Sequence, residues 1–93
     1  MPSYELVFII SPEVADEEIP DVANKVSELI NKSGGSVTEI KQWGRRRLAY
    51  PIERFAEGSY VFTQLELEPA STKELEANLR LSGDVIRHLL IRA

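Results

Sequence analysis

The chain has 93 residues, 43% of them hydrophobic, no cysteine, and a formal net charge of −4, with a pI near 5.0. That length supports one hydrophobic core, so a single domain over residues 1–93 is expected, and the missing thiols exclude disulfides and thiolate metal sites. The longest apolar run, Leu6 to Ile10, is strand length and far short of the roughly 20 residues that cross a bilayer; with no secretory signal pattern, a cytoplasmic protein outside the membrane is expected.

Tyr4 to Ile10 is rich in β-formers and stops at Ser11-Pro12, which predicts a first strand, and its apolar residues on both faces suit a central position. Ile19, Val22, Ala23, Val26, Leu29 and Ile30 recur at intervals of three and four, the pattern of an amphipathic helix. Asp16 is its expected N-cap and Ser33-Gly34-Gly35 its stop, while Pro20 is tolerable only near the first turn. Val37 to Ile52 predicts a long second strand, bent or bulged at Gly44, with Pro51 implying an edge or an end. Glu57-Gly58 is the expected turn into a third strand, Tyr60 to Leu67, with Val61, Leu65 and Leu67 on one face and Tyr60, Phe62 and Gln64 on the other. Ser71-Thr72-Lys73-Glu74 has capping-box spacing ahead of a helix with Leu75 and Leu79 on one side, and Gly83 closes it. Val85 to Ile91 is the fourth strand. The order βαββαβ predicts an α+β, ferredoxin-like domain, with two helices on one face of a four-stranded antiparallel sheet, strands one and three central and two and four at the edges.

Residues 41–54 carry Lys41, Arg45, Arg46, Arg47 and Arg54 against Glu53 alone, a balance of +4, so the remainder of the chain holds −8. Guanidinium forks match phosphate and carboxylate geometry, and alternate strand side chains reach opposite faces, so this run can engage two partners. Edge strands also carry charge simply to discourage pairing with other chains, and one set of charges can do both. Trp43 beside the arginines suits stacking on a base, anchoring a protein interface, or burial. Tyr60 and Phe62 stand where an RNA-recognition domain presents aromatics, but Glu57 occupies the place of its basic residue, so packing or protein contact is the stronger expectation. An acidic protein with so local a basic patch should bind RNA modestly when alone.

Catalysis finds little support. His88, the only histidine, lies among Arg87, Leu89 and Leu90 without a nucleophile; Glu66 with Glu68 and Glu17 with Glu18 and Asp21 read as solvated positions; and Ser33-Gly34-Gly35 follows a helix where a phosphate-binding loop would precede one. No enzyme activity, cofactor or metal is expected. A small hydrolase of the acylphosphatase type would need a phosphate-cradling arginine loop after the first strand, where Ser11-Pro12-Glu13 offers an acid.

Tyr4-Glu5-Leu6, Ser11-Pro12, Gly44 through Ile52 with its Arg-Arg-Leu-Ala-Tyr-Pro-Ile, Gly58-Ser59-Tyr60 and Val85-Ile86-Arg87-His88 resemble, in order and approximate spacing, the bacterial small-subunit ribosomal protein six family. The resemblance implies a ferredoxin-like fold, no catalysis, and a place on the ribosome in the platform of the small subunit, binding 16S rRNA together with ribosomal protein eighteen. By position, Arg46 and Arg47 match the family's arginines, Arg54 a basic position and Arg87 a basic residue of the last strand, whereas Arg45 is additional. Pro2 and Ser3 replace a basic residue common in the family. The candidate RNA- or partner-binding set is therefore Trp43, Arg45, Arg46, Arg47, Tyr50, Arg54 and Arg87. The competing reading is a stand-alone ferredoxin-like regulatory or ligand-binding module, joined to copies of itself through strand edges.

Overall fold

Burial alternates along the first strand, with Tyr4, Leu6, Phe8 and Ile10 inside and Glu5 and Val7 only partly covered, and that period of two orients the whole sheet. A computed structural model describes residues 1–93. Its elements are β1 (Ser3–Ile10), α1 (Ile19–Lys32), β2 (Ser36–Ile52), β3 (Phe55–Glu66), α2 (Thr72–Leu81) and β4 (Val85–Arg92), with single 3-10 turns at Asp16–Glu18 and Pro69–Ser71. The strands form one antiparallel sheet in the order β2-β3-β1-β4, so the ferredoxin-like arrangement holds, with β1 and β3 central.

One face of the sheet meets both helices. Tyr4, Leu6, Phe8 and Ile10 of β1 and Val61 and Leu65 of β3 pack against Ile19, Val22, Ala23, Val26 and Ile30 of α1 and Leu75 and Leu79 of α2. The helices bury the stripes that the sequence spacing marks out, and this burial rather than intrinsic propensity holds them in place.

Both helix starts differ from expectation. Neither receives a side-chain cap: Glu18 and Ser71, the residues before α1 and α2, already have helical backbone angles, which precludes the extended N-cap geometry. The entry is instead a 3-10 turn in each case; Thr72 Oγ1 donates to Pro69 O at 2.9 Å, and Asp16 turns outward to an arginine. Pro20 falls in the first turn of α1, where its missing N–H costs no helical bond. The β2–β3 turn is also displaced. It lies at Glu53-Arg54, with Glu53 at φ +57, whereas Glu57 and Gly58 sit inside β3 opposite Arg47 and Arg46. The third strand consequently begins at Phe55 and ends at Glu66, leaving Leu67 buried just beyond it.

Candidate nucleic-acid and protein interface

The face of the sheet away from the helices is assembled in rows by the strand register. Lys41, Phe62, Val7 and Leu89 lie across one row; Glu39, Gln64, Glu5 and Ile91 across the next; and Gly44, Tyr60, Ile9 and Arg87 across a third. Leu89 is 59% exposed and Ile91 48%, so this face offers apolar surface that no helix covers. A solvated sheet face ordinarily alternates to polar residues, and a contiguous apolar departure marks a contact surface.

Trp43 follows Lys41 onto this face by strand alternation and sits at a backbone irregularity. The register passes from Gln42 opposite Val61 to Gly44 opposite Tyr60, so Trp43 is an extra residue on β2, and Gly44 takes φ +90, a left-handed conformation open to glycine. The Trp43 indole then lies nearly parallel to Phe62, with 5.5 Å between ring centroids and 9° between planes. It is 43% exposed, neither the buried residue nor a free platform, with one side resting on Phe62. The Arg46 guanidinium stands 5.7 Å from the indole centroid, a cation–π contact that leaves its N–H donors available.

The three consecutive arginines separate sharply. Arg45 points to the helix side, where its guanidinium donates to Asp16 Oδ1 at 3.1 Å and Glu57 Oε1 at 3.0 Å. Those hydrogen bonds, Asp16 first and Glu57 second, raise its pKa, so it stays charged while bound within its own molecule. No carboxylate oxygen approaches Arg46 or Arg47 within 4.0 Å. Arg54, in the hairpin turn, lies 4.8 Å over the Phe55 ring and pairs with Glu13 at 3.1 Å.

Tyr50, 63% exposed, borders a small apolar cleft of about 160 Å³ shared by Ile9, Leu48, Ile52, Tyr60 and Arg87. The candidate set therefore divides: Trp43, Arg46, Tyr50 and Arg87 border the open face, Arg47 and Arg54 lie along the hairpin, and Arg45 is a brace to the first loop. His88 is equally occupied, its Nε2 lying 3.0 Å from Glu76 Oε1 and joining β4 to α2.

The family model for ribosomal protein S6 matches residues 3–92. The chain belongs to the ribosomal protein S6 family. Small ribosomal subunit protein bS6 of Moorella thermoacetica is 42% identical over 92 residues, covering 99% of this chain and 94% of that protein. Its counterpart in Desulforamulus reducens is 39% identical, covering 99% and 97%. Crystalline 30S ribosomal protein S6 from Thermotoga maritima superposes with a TM-score of 0.91 at 30% identity, covering 99% of this chain and 87% of that one. The C-terminal domain of MgtC from Mycobacterium tuberculosis, at TM-score 0.64 and 16% identity, covers 100% of this chain and 88% of its own and shares the fold alone. Membership of the S6 family bears out both the resemblance and the ribosomal location expected from the sequence.

Within this S6-family frame, Val7, Leu89 and Ile91 of the open face were not among the sequence candidates. Their signal is present in hindsight: apolar residues on the outward phase of β1 and β4, where water-facing strands carry polar ones.

Proposed function

We propose that the chain is a non-catalytic protein of the small ribosomal subunit that binds 16S rRNA in the platform jointly with ribosomal protein eighteen. The observation that carries this reading is the open sheet face, where an uncovered apolar patch of Val7, Phe62, Leu89 and Ile91 lies on the same face as Arg46, a cation with no intramolecular carboxylate. An apolar patch with an aromatic anchor suits a protein partner, and guanidiniums on the same face suit phosphates. Neither part is strong alone. A chain of net charge −4, with 15 acidic residues against 11 basic ones, repels polyanions at a distance, so a protein partner that adds positive charge and surface would raise RNA affinity. The names of the bacterial relatives, small ribosomal subunit protein bS6, support the small-subunit part of this reading.

Titration of an RNA fragment spanning the platform, with and without protein eighteen, tests this reading. Binding should be weak with the chain alone and tighten strongly with the partner present. Equal affinity in the two arms would remove the cooperative mechanism, and failure of the two proteins to associate would remove the partner.

A further inference from the structure

A cleft of about 410 Å³ opens at the hairpin end of the sheet, walled by cations from three separate elements: Arg54 of the β2–β3 turn, Arg80 of the last turn of α2, and Arg87 of β4. Only four of its 13 lining residues are apolar, which does not suit an apolar ligand. Two carboxylates share the wall, Glu13 and Glu53. Glu13 is engaged by Arg54 at 3.1 Å, while no carboxylate lies within 4.0 Å of Arg80 or Arg87. Two unengaged guanidiniums thus stand against one unengaged carboxylate, an excess of a single positive charge. That balance matches a phosphodiester, which carries one negative charge, better than a terminal phosphate, which carries nearly two. Arg87 also borders the apolar cleft of the open face, so the two surfaces are continuous through its side chain.

We infer that this cleft seats one backbone phosphodiester of the bound RNA, with Arg80 and Arg87 as its donors. Arg54 is held over Phe55 with one donor spent on Glu13, and its remaining N–H groups are open to the same phosphate. The inference rests on the RNA-binding reading above and adds Arg80, a residue on a helix remote in sequence from the arginine run.

The test is binding of the platform RNA fragment, in the presence of protein eighteen, across a salt series with Arg80→Gln, Arg87→Gln and the double variant. Lys73→Gln, at the opposite end of α2, is the control for loss of a charge. The double variant should lose at least about tenfold in affinity. Its slope of log affinity against log salt should flatten by about 0.7–0.9, one phosphate contact, with Lys73→Gln unchanged. Arg80→Lys should retain the slope but lose part of the affinity, because the charge persists without the bidentate fork. Arg80→Gln is the decisive single variant, since Arg80 borders neither the open face nor its apolar cleft. Wild-type affinity and slope in the double variant, with RNA binding still sensitive to Arg46→Ala, would overturn the cleft assignment and leave the RNA reading standing. Absence of RNA binding by the wild-type chain with its partner would remove both.

Discussion

Gly58 is a test of how tightly the open face is built. It lies within β3 opposite Arg46, buried, and has no positive φ, so a side chain there meets no backbone strain and the whole effect is steric. A Cβ at this position would stand 2.4 Å from Ile9 Cγ2 and 3.0 Å from Ile10 O. Ordinary carbon–carbon contact is at about 3.5–4.0 Å, so the Ile9 methyl must move by more than an ångström. Ile9 is only 7% exposed and its β-branch restricts χ1, leaving little room for that movement. Overpacking of this kind costs about 1–3 kcal/mol. The loss of chain entropy in the unfolded state offsets about 0.4–1 kcal/mol of it, so Gly58→Ala should destabilise by about 1–2 kcal/mol. Urea denaturation of Gly58→Ala, Ile9→Leu and the double variant measures this. Leucine removes the branch at Cβ and lets its single γ carbon rotate away, so the alanine should cost markedly less in that background, with a coupling of about 1 kcal/mol. A Gly58→Ala variant within 0.5 kcal/mol of wild type, or an equal cost in both backgrounds, would refute the close approach of Ile9 as the reason for glycine.

Leu75→Ala and Leu79→Ala, each removing a fully buried side chain that ties α2 to the core, should each cost about 2–5 kcal/mol in chemical denaturation. Gly35→Ala should cost more than Gly34→Ala, because a Cβ at Gly35 falls 2.7 Å from the Glu66 carbonyl oxygen, whereas Gly34 has open space and only its φ of +88 to lose; thermal melts rank them. Arg46→Ala and Arg47→Ala should give unequal defects, each on the order of 1–3 kcal/mol where a charge-assisted bond is lost, when heterodimer formation and RNA recruitment are measured separately. The double variant should also self-associate more readily in sedimentation, since both charges guard edge strand β2. Arg45→Ala should leave RNA affinity near wild type, because its guanidinium is turned to Asp16 and Glu57; a loss as large as that of Arg46→Ala would show that those pairs open on binding.

Strand order, helix faces and the central place of β1 were legible because each follows from a repeating pattern of apolar residues, which averages over many positions. Features set by one residue were less so. Gly58 in a crowded strand and glycine in a turn look alike in sequence, and only the approach of Ile9 distinguishes them. Capping at Asp16 failed because the residue lies inside a 3-10 turn rather than at an extended N-cap, and its carboxylate meets Arg45, 29 residues away, a separation that local spacing cannot register. The same contact engages an expected binding residue within its own molecule, at the surface. Trp43 resting on Phe62 depended on the irregularity of β2 between Val37 and Glu39, which sets Lys41 opposite Phe62 and so Trp43 on the same face.

The irregularity at Gly44 acts as a phase shifter for charge. With Trp43 as the extra residue, Arg46 falls on the outward phase and Arg45 on the helix side; a regular ladder through the same residues would exchange them. Deleting Trp43 would leave Gly44, Arg45 and Arg46 in regular alternation behind Gln42, so each guanidinium would keep its side, whereas straightening the strand with every residue kept would point Arg45 at the open face and aim Arg46 at Asp16 and Glu57. Three adjacent identical side chains would then have traded roles without any of them being mutated. In such a strand the meaning of an arginine lies in its parity, and a homologue that gained or lost a residue between Gln42 and Arg45 should be compared by the side of the sheet each guanidinium occupies before it is compared by column.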